Sequence, residues 1–498
     1  MKKLLSALLV LFVFAIAAGT ASADGTTNRI DGNDRFDVSI KLSNQGFPSG
    51  ASTVILANYS AFADALAATP LAYYLNAPIL LTEPNQLNDK TKNEIVRLHP
   101  TEVVIVGGTA SVSDTIVNEL KALPVQNVRR IDGANRYEVS SNIAIEMPAS
   151  AKVVVAYGEN FPDALSIAPY AAKNGYPILL TGTSALPDEV QQTIAKRKPS
   201  GSIIVGGEGS ISKNVESELP SVTRIGGNDR YEVSANIVRT LNLPSTTAYV
   251  ATGNTFADAL TGSVVAAKQN SPILLTNNSS IPQPIRLLVA DKDIHNFIVL
   301  GGTGSVAQII PNQLTGPLAR LKIVVDAGHG GKDVGAIGFG KYEKNITLAI
   351  ANKLRPKFEA AGAAVVMTRE SDTYPSLDDR VNIANSQHAN SFISIHSNSS
   401  TSPAPSGTET YWNSVYSGTQ SKALAQSIQS QLVNYMGTVN RGVKEDDFRV
   451  IKATTMPSVL VEVAFISNAV DNFKLNDPTY QENAAQAIYI GTLNYYKK

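Results

Sequence analysis

Two histidines and two glutamates in the C-terminal third have the residue types and settings that could do chemistry. His329 ends the run Lys322-Ile-Val-Val-Asp326-Ala-Gly-His329-Gly-Gly331, a buried-strand pattern entering a glycine-rich loop. His396 ends the apolar run Phe392-Ile-Ser-Ile-His396-Ser-Asn398, so both imidazoles leave strand ends. Glu343 opens a stretch in which Ile346, Leu348, Ile350, Leu354 and Phe358 recur at roughly helical spacing through about Ala361. Glu462 sits inside Val459-Leu-Val-Glu462-Val-Ala-Phe465-Ile-Ser-Asn468, where a carboxylate buried without a partner would be costly. Each has an ordinary explanation when taken alone, since a histidine can cap a loop and an acid at a helix start complements the dipole. Together they offer two histidines and a carboxylate with room for water, the usual composition of an open hydrolytic zinc site, plus a second carboxylate to take the proton. There is no His-Glu-x-x-His, which excludes the zincin helix. His99, His295 and His388 stand in polar, repeat or helical settings and read as structural or solvated.

The elements needed to position this set are legible around it. Strands are expected at Lys322 to Ala327, Val365 to Thr368, Phe392 to Asn398 and Val459 to Phe465, with helices from Glu343 to about Ala361 and from Asp378 to Gln387. Short apolar strands alternating with helices predict an α/β domain over 321–498. Asn398 could bond a glycan or peptide, or simply make an Asx turn, and Arg369, Arg380 and Arg441 could meet peptide carboxylates.

Upstream the chain repeats itself. Arg29-Ile-Asp-Gly-Asn-Asp-Arg35-Phe returns as Arg130-Ile-Asp-Gly-Ala-Asn-Arg136-Tyr and Arg224-Ile-Gly-Gly-Asn-Asp-Arg230-Tyr. Phe-x-Asp-Ala-Leu follows around Asp64, Asp163 and Asp258, then Pro-Ile-Leu-Leu-Thr from Pro78, Pro177 and Pro272, and each copy closes on a glycine pair. A period of about 95 to 100 residues allows each copy its own core, so three tandem parallel α/β units are expected over 24–121, 122–220 and 221–318. The repeated Arg35, Arg136 and Arg230 and the repeated Asp64, Asp163 and Asp258 could be ligand contacts at strand ends, or internal ion pairs that fix loops.

Residues 1–23 carry Lys2 and Lys3, an apolar run from Leu4 to Ala18 and Ala21-Ser22-Ala23, the pattern of a secretory signal peptide. The run is shorter than the ~20 residues that span a bilayer, and nothing later is long enough, so no membrane span is expected after leader removal. The absence of cysteine removes disulfides, thiolate nucleophiles and Cys-based zinc sites. Without the leader, 40 basic residues face 42 acidic ones, which gives no support to nucleic-acid binding.

The Asn-Asp-Arg-[Phe/Tyr], Asp-Ala-Leu, Pro-Ile-Leu-Leu-Thr and Val-Gly-Gly set, in three ordered copies over roughly Asn28 to Leu318, resembles the cell wall-binding repeat 2 family. That resemblance implies non-covalent attachment to anionic cell-wall polymers on a Gram-positive-type surface. The order DAGHGG, YEKN, SIHSN and VLVEVAFISN over Lys322 to Lys498 resembles the zinc amidases that cleave N-acetylmuramoyl-L-alanine bonds in peptidoglycan. Carried over position by position, it makes His329, Glu343 and His396 the Zn2+ ligands and Glu462 the catalytic acid/base. It implies a secreted, wall-associated autolysin that hydrolyses the amide joining N-acetylmuramic acid to L-alanine. A stem-peptide peptidase would keep the metal and change the bond, but its usual His-Asp-His motifs are absent; a non-catalytic adhesin would have lost a ligand or Glu462.

Overall fold

The computed structural model describes residues 25–497, so the leader expected over 1–23 lies outside the described residues. In the first copy, Thr53–Asn58 and Ile79–Thr82 are buried at every position, as expected for strands covered on both faces. They form a four-stranded parallel sheet in the order Ile79–Thr82, Thr53–Asn58, Glu102–Val106, Asn127–Ile131. The second sheet repeats this with Ile178–Thr181, Lys152–Tyr157, Gly201–Val205 and Val222–Ile225.

These sheets do not follow the boundaries of the sequence repeats. The fourth strand of each comes from the opening of the next copy, and the third sheet is completed by Thr26–Ile30, the first strand described. Thr26 to Ile30 pair in parallel with Asn296 to Leu300, which closes the three copies into a ring. The repeated Arg-Ile opening is now explained, because Arg29, Arg130 and Arg224 donate to the carbonyls of Gly301, Gly107 and Gly206 at 2.8, 2.8 and 3.0 Å. Each arginine thereby latches its strand to the glycine turn of the copy before it. Those glycines have φ of 96, 110 and 123° in the same order, a backbone setting that side chains disfavour. The residue before each second arginine, Asp34, Asn135 or Asp229, caps the following helix by accepting from two backbone N–H groups.

The expectation that each copy holds its own core is only half met. Outer clusters belong to single copies, as with Val153, Leu179 and Ile204, but one inner core joins Leu42 and Ile55 of the first copy to Ile167 of the second and Leu260 of the third. At its centre the Phe-x-Asp-Ala-Leu phenylalanines meet: Phe62, Phe161 and Phe256 have ring centroids 5.6, 6.0 and 6.1 Å apart. Three aromatic rings at such spacing pack favourably in tilted and edge-on arrangements. Small domains strung in a line would have left these rings exposed.

The C-terminal domain has a six-stranded sheet in the order Ala364–Met367, Lys322–Ala327, Ser391–Asn398, Ser458–Phe465, Thr408–Trp412, Asn440–Glu445. All neighbours are parallel except Thr408–Trp412 against Ser458–Phe465. Alternation places Ile323, Val325, Ile395 and Val461 under the helices Glu343–Ala360, Gly418–Met436 and Pro478–Tyr496. Val324, Phe392 and Leu460 face the other way, toward the helix Leu377–Ser386.

The domain is docked on the third copy. Buried Arg286 donates to the Glu359 carbonyl at 2.9 Å and to Gln313 Oε1 at 2.8 Å, Gln283 Nε2 donates to the Val365 carbonyl, and Lys322 pairs with Asp291.

Candidate metal centre and active site

The loop after one strand, two neighbouring strands and one helix start bring His329, His396, Glu462 and Glu343 together. The Lys322–Ala327 strand delivers His329 through a loop in which His329 itself has φ 61° and Gly330 φ 130°. A side chain at Gly328 would place its Cβ 2.4 Å from the His396 ring, so this approach requires glycine. Two buried arginines hold the loop. Arg369 donates to the carbonyls of Ala327, Gly328 and Lys344 at 2.8, 3.0 and 2.8 Å, and Arg380 to those of Ala327 and His329 at 2.7 Å each. Arg380 also pairs with the buried Asp326, which accepts from Thr368 and Ser394 as well. The suggestion that Arg369 and Arg380 meet peptide carboxylates is therefore corrected: both are spent on backbone carbonyls inside the domain.

Glu343, 3% exposed, lies between the two imidazoles. Its Oε2 is 3.1 Å from His329 Nε2 and its Oε1 is 3.0 Å from His396 Nδ1. Backbone N–H groups of Ala336 and Ser397 donate to the same carboxylate at 2.8 and 2.9 Å. One ligand atom from each of His329, Glu343 and His396 lies within 4.8 Å of the others, so the three could hold a metal ion. His329 Nδ1 faces Asp333 Oδ2 at 2.8 Å, an outer partner that fixes the ring and leaves Nε2 for the centre. Burial works against the charge of Glu343, but the two histidines outweigh it and hold the carboxyl well below its usual range. Burial likewise opposes protonation of His329, yet Glu343 and Asp333 raise it.

Glu462 is the register partner of His396 on the neighbouring strand. Its Oε2 is buried without a hydrogen-bond partner among the described residues. Burial first, then the charges of Glu343 and Glu409, lift its carboxyl well above the ordinary value. A carboxylate kept in that condition beside three ligand-type groups fits a cationic, water-bearing site better than an apolar core.

Sequence reasoning missed Asp333 and Glu409. Asp333 stands four residues after His329, a spacing that carries no signal in a loop. Glu409, 2% exposed, is held by Tyr411, Arg441, Lys444 and Asn398. Asn398 therefore points at Glu409, while its Oδ1 accepts from the Ser399 N–H at 2.7 Å.

The repeated Arg and Asp end up on opposite walls of clefts between copies. One cleft carries Asp163, Gly207, Asn228 and Arg230, and its counterpart carries Asp258, Gly302, Asn33 and Arg35. The ion pairs considered for these residues are not formed. Arg35, Arg136 and Arg230 donate instead to the carbonyls of Tyr59, Gly158 and Gly253 in their own copies.

Residues 323–494 match the family described as N-acetylmuramoyl-L-alanine amidase, and 29–117, 130–216 and 224–310 match cell wall binding domain 2. The chain is 42% identical over 489 residues to the N-acetylmuramoyl-L-alanine amidase LytC of Bacillus subtilis (strain 168), across 98% of this chain and 97% of that one. It belongs to the N-acetylmuramoyl-L-alanine amidases. An amidase enhancer of the same organism is 38% identical over 291 residues, 58% of this amidase and 40% of the enhancer. The solved structure of Cwp6 from Clostridium difficile superposes with a TM-score of 0.59 at 29% identity, covering 94% of this amidase and 79% of Cwp6. The α/β architecture expected from sequence, three repeats followed by an amidase domain, is thus the one observed. No helix among the described residues is long and apolar enough to cross a membrane.

Proposed function

We propose that this amidase is secreted by way of the leader at 1–23, is held on the cell wall by the repeats over 24–318, and works as a zinc autolysin through the domain at 321–498. The observation that carries the catalytic part is the set His329, Glu343 and His396 around one point, with the partnerless Glu462 oxygen on the adjoining strand. Two imidazoles and a carboxylate suit Zn2+, and the Asp333 contact is the outer partner such a ligand needs. Zinc held there supplies Lewis-acid polarisation of the scissile carbonyl and makes water a stronger acid.

The remaining chemistry falls to the protein. Glu462 takes a proton from the water that attacks the lactyl carbonyl, and the new C–O bond forms as the proton leaves. It then returns that proton to the nitrogen of L-alanine as the C–N bond breaks, so one carboxyl serves both halves of the hydrolysis. Burial, which raises its affinity for protons, suits a group that must accept one from water. The ring raises the local concentration of this site over an insoluble substrate. Anionic wall polymer is the expected ligand of the ring, and the clefts that carry Arg35 and Arg230 present both cations and bonding groups to it.

The test is mass spectrometry of purified muropeptides incubated with the mature protein, with Glu462→Ala and chelated controls. Release of intact stem peptide with a free L-alanine amine, by the metal-loaded wild type alone, is the expected result. Cleavage inside the peptide, or full activity after chelation or in Glu462→Ala, would overturn the assignment.

A further inference from the structure

Next to Glu462 lies a charged cluster that hydrolysis itself does not use. Glu409 is the register partner of Glu462 on the antiparallel strand, so both side chains leave the same face of the sheet. Glu409 is buried and accepts from Tyr411 Oη and Arg441 Nε, both at 2.9 Å, and from Asn398 and Lys444. Glu409 is thus set against two cations, Arg441 and Lys444.

Arg441 is the cation with unused capacity. It meets Glu409 through Nε, its Cζ lies 4.8 Å from the Phe465 ring centroid, and its side chain is 33% exposed. Its two terminal amino groups make no hydrogen bond among the described residues. A guanidinium pinned by Nε and laid on an aromatic ring is held in one plane with its fork free, the arrangement that receives a carboxylate bidentately. Lys444, on the same edge strand, is 40% exposed and adds a second charge to the same spot.

Distance connects this cluster to the substrate. Asn440–Glu445 lies two strands from Ser458–Phe465, about 10 Å at the usual strand spacing. An extended peptide advances about 3.5 Å per residue, so the second and third residues of a stem peptide leaving Glu462 come within reach of a long cationic side chain. We propose that Arg441, anchored on Glu409 and aided by Lys444, is a specificity-determining contact for a free carboxylate on the second or third residue of the stem peptide.

This rests on Glu462 being the acid/base, and the experiment separates the two. Kinetics of the full chain are compared on two soluble muramyl peptides, identical except that the carboxylate is free in one and a carboxamide in the other. Wild type is expected to favour the free carboxylate by about tenfold or more in kcat/KM, chiefly through KM, as a charge-assisted bond predicts. Arg441→Gln should bring the carboxylate substrate down to the carboxamide level, Arg441→Lys should keep part of the preference, and Lys444→Gln should reduce it. Equal rates on both substrates in wild type would overturn the proposal, as would an Arg441→Gln variant that loses both substrates in proportion. If Arg441→Gln does not fold, the wild-type ratio and Lys444→Gln still decide. Glu462→Gln that retains cleavage would instead undo the acid/base assignment, whatever the ratio.

Discussion

The ring and the amidase domain treat buried acids in opposite ways. In the ring, Asp64, Asp163 and Asp258 are raised above the ordinary carboxylate range because burial outweighs the facing arginines, Asp163 to about 6. In the amidase domain, Asp326 and Glu343 are lowered because arginine, histidine and hydrogen-bond donors overcome burial. Among the described residues, Glu462 is the one acid of the amidase domain that follows the ring's rule. An acid raised by desolvation signals either a structural tolerance repeated three times or a single group kept reactive. Recurrence in every copy suits the three aspartates to a role that each copy repeats, whereas the proposed function gives Glu462 a role needed once.

The largest effect expected from breaking this contrast is at Glu462. Glu462→Gln should lower the cleavage rate by about 10²- to 10⁴-fold, the usual worth of general acid/base catalysis, with metal content retained. Because it also removes a partnerless buried acid, the thermal midpoint should stay level or rise. A fall in midpoint matching the loss of rate would make Glu462 a structural residue.

Arg380→Met should make Asp326 behave as a ring acid. Removing one partner of a buried ion pair costs about 3–5 kcal/mol, and Arg380 also releases the Ala327 and His329 carbonyls. Calorimetry should show the amidase transition displaced downward and metal affinity weakened, with the ring transition in place. If both transitions move together, the docking through Arg286 couples the two regions more tightly than their separate cores imply.

The opposite shifts predict opposite responses to acid. A carboxyl raised in the folded state favours folding while protonated, so the ring gains stability as pH falls from about 6 toward the ordinary carboxylate range, and loses it on the way back. Lowered carboxyls stabilise the amidase domain while ionised, and that support disappears as pH falls through their folded values. Asp163→Asn should therefore stabilise the ring at neutral pH, by at most about 3 kcal/mol for a shift of this size, and flatten its dependence between pH 4 and 7. Denaturant titrations at several pH values check this. A ring that weakens in acid as the amidase domain does would remove the contrast.

The four candidate residues stood out in the sequence by type and setting, His329, His396 and Glu462 by breaking apolar strand patterns and Glu343 by marking a helix start, while the roles expected of them came from the resemblance to the zinc amidases. The supports were not legible as supports: Arg369 and Arg380 read as possible contacts for peptide carboxylates and Glu409 carried no signal, because their partners lie elsewhere in the sequence. In the ring the reverse held. The repeats were plain, but their closure was not, since Thr26–Ile30 pairs with Asn296–Leu300 and no local pattern specifies a strand's partner 270 residues away. The repeated Arg29, Arg130 and Arg224 were the trace of that closure, visible only as a motif until their carbonyl partners were known.

The smallest expected effect sharpens the comparison most cleanly. Asn135 caps the helix Arg136–Ile145 where the other copies use Asp34 and Asp229, so Asn135→Ala removes one cap of three and should cost about 1 kcal/mol. If the copies were independent, only the second would melt earlier and the thermogram would broaden. The shared inner core and the strands exchanged between copies instead make the ring one cooperative unit. A single ring transition, lowered but still sharp, is therefore expected beside an unmoved amidase transition. Asn135→Asp should restore the midpoint, because the acid caps the same N–H groups in the first and third copies.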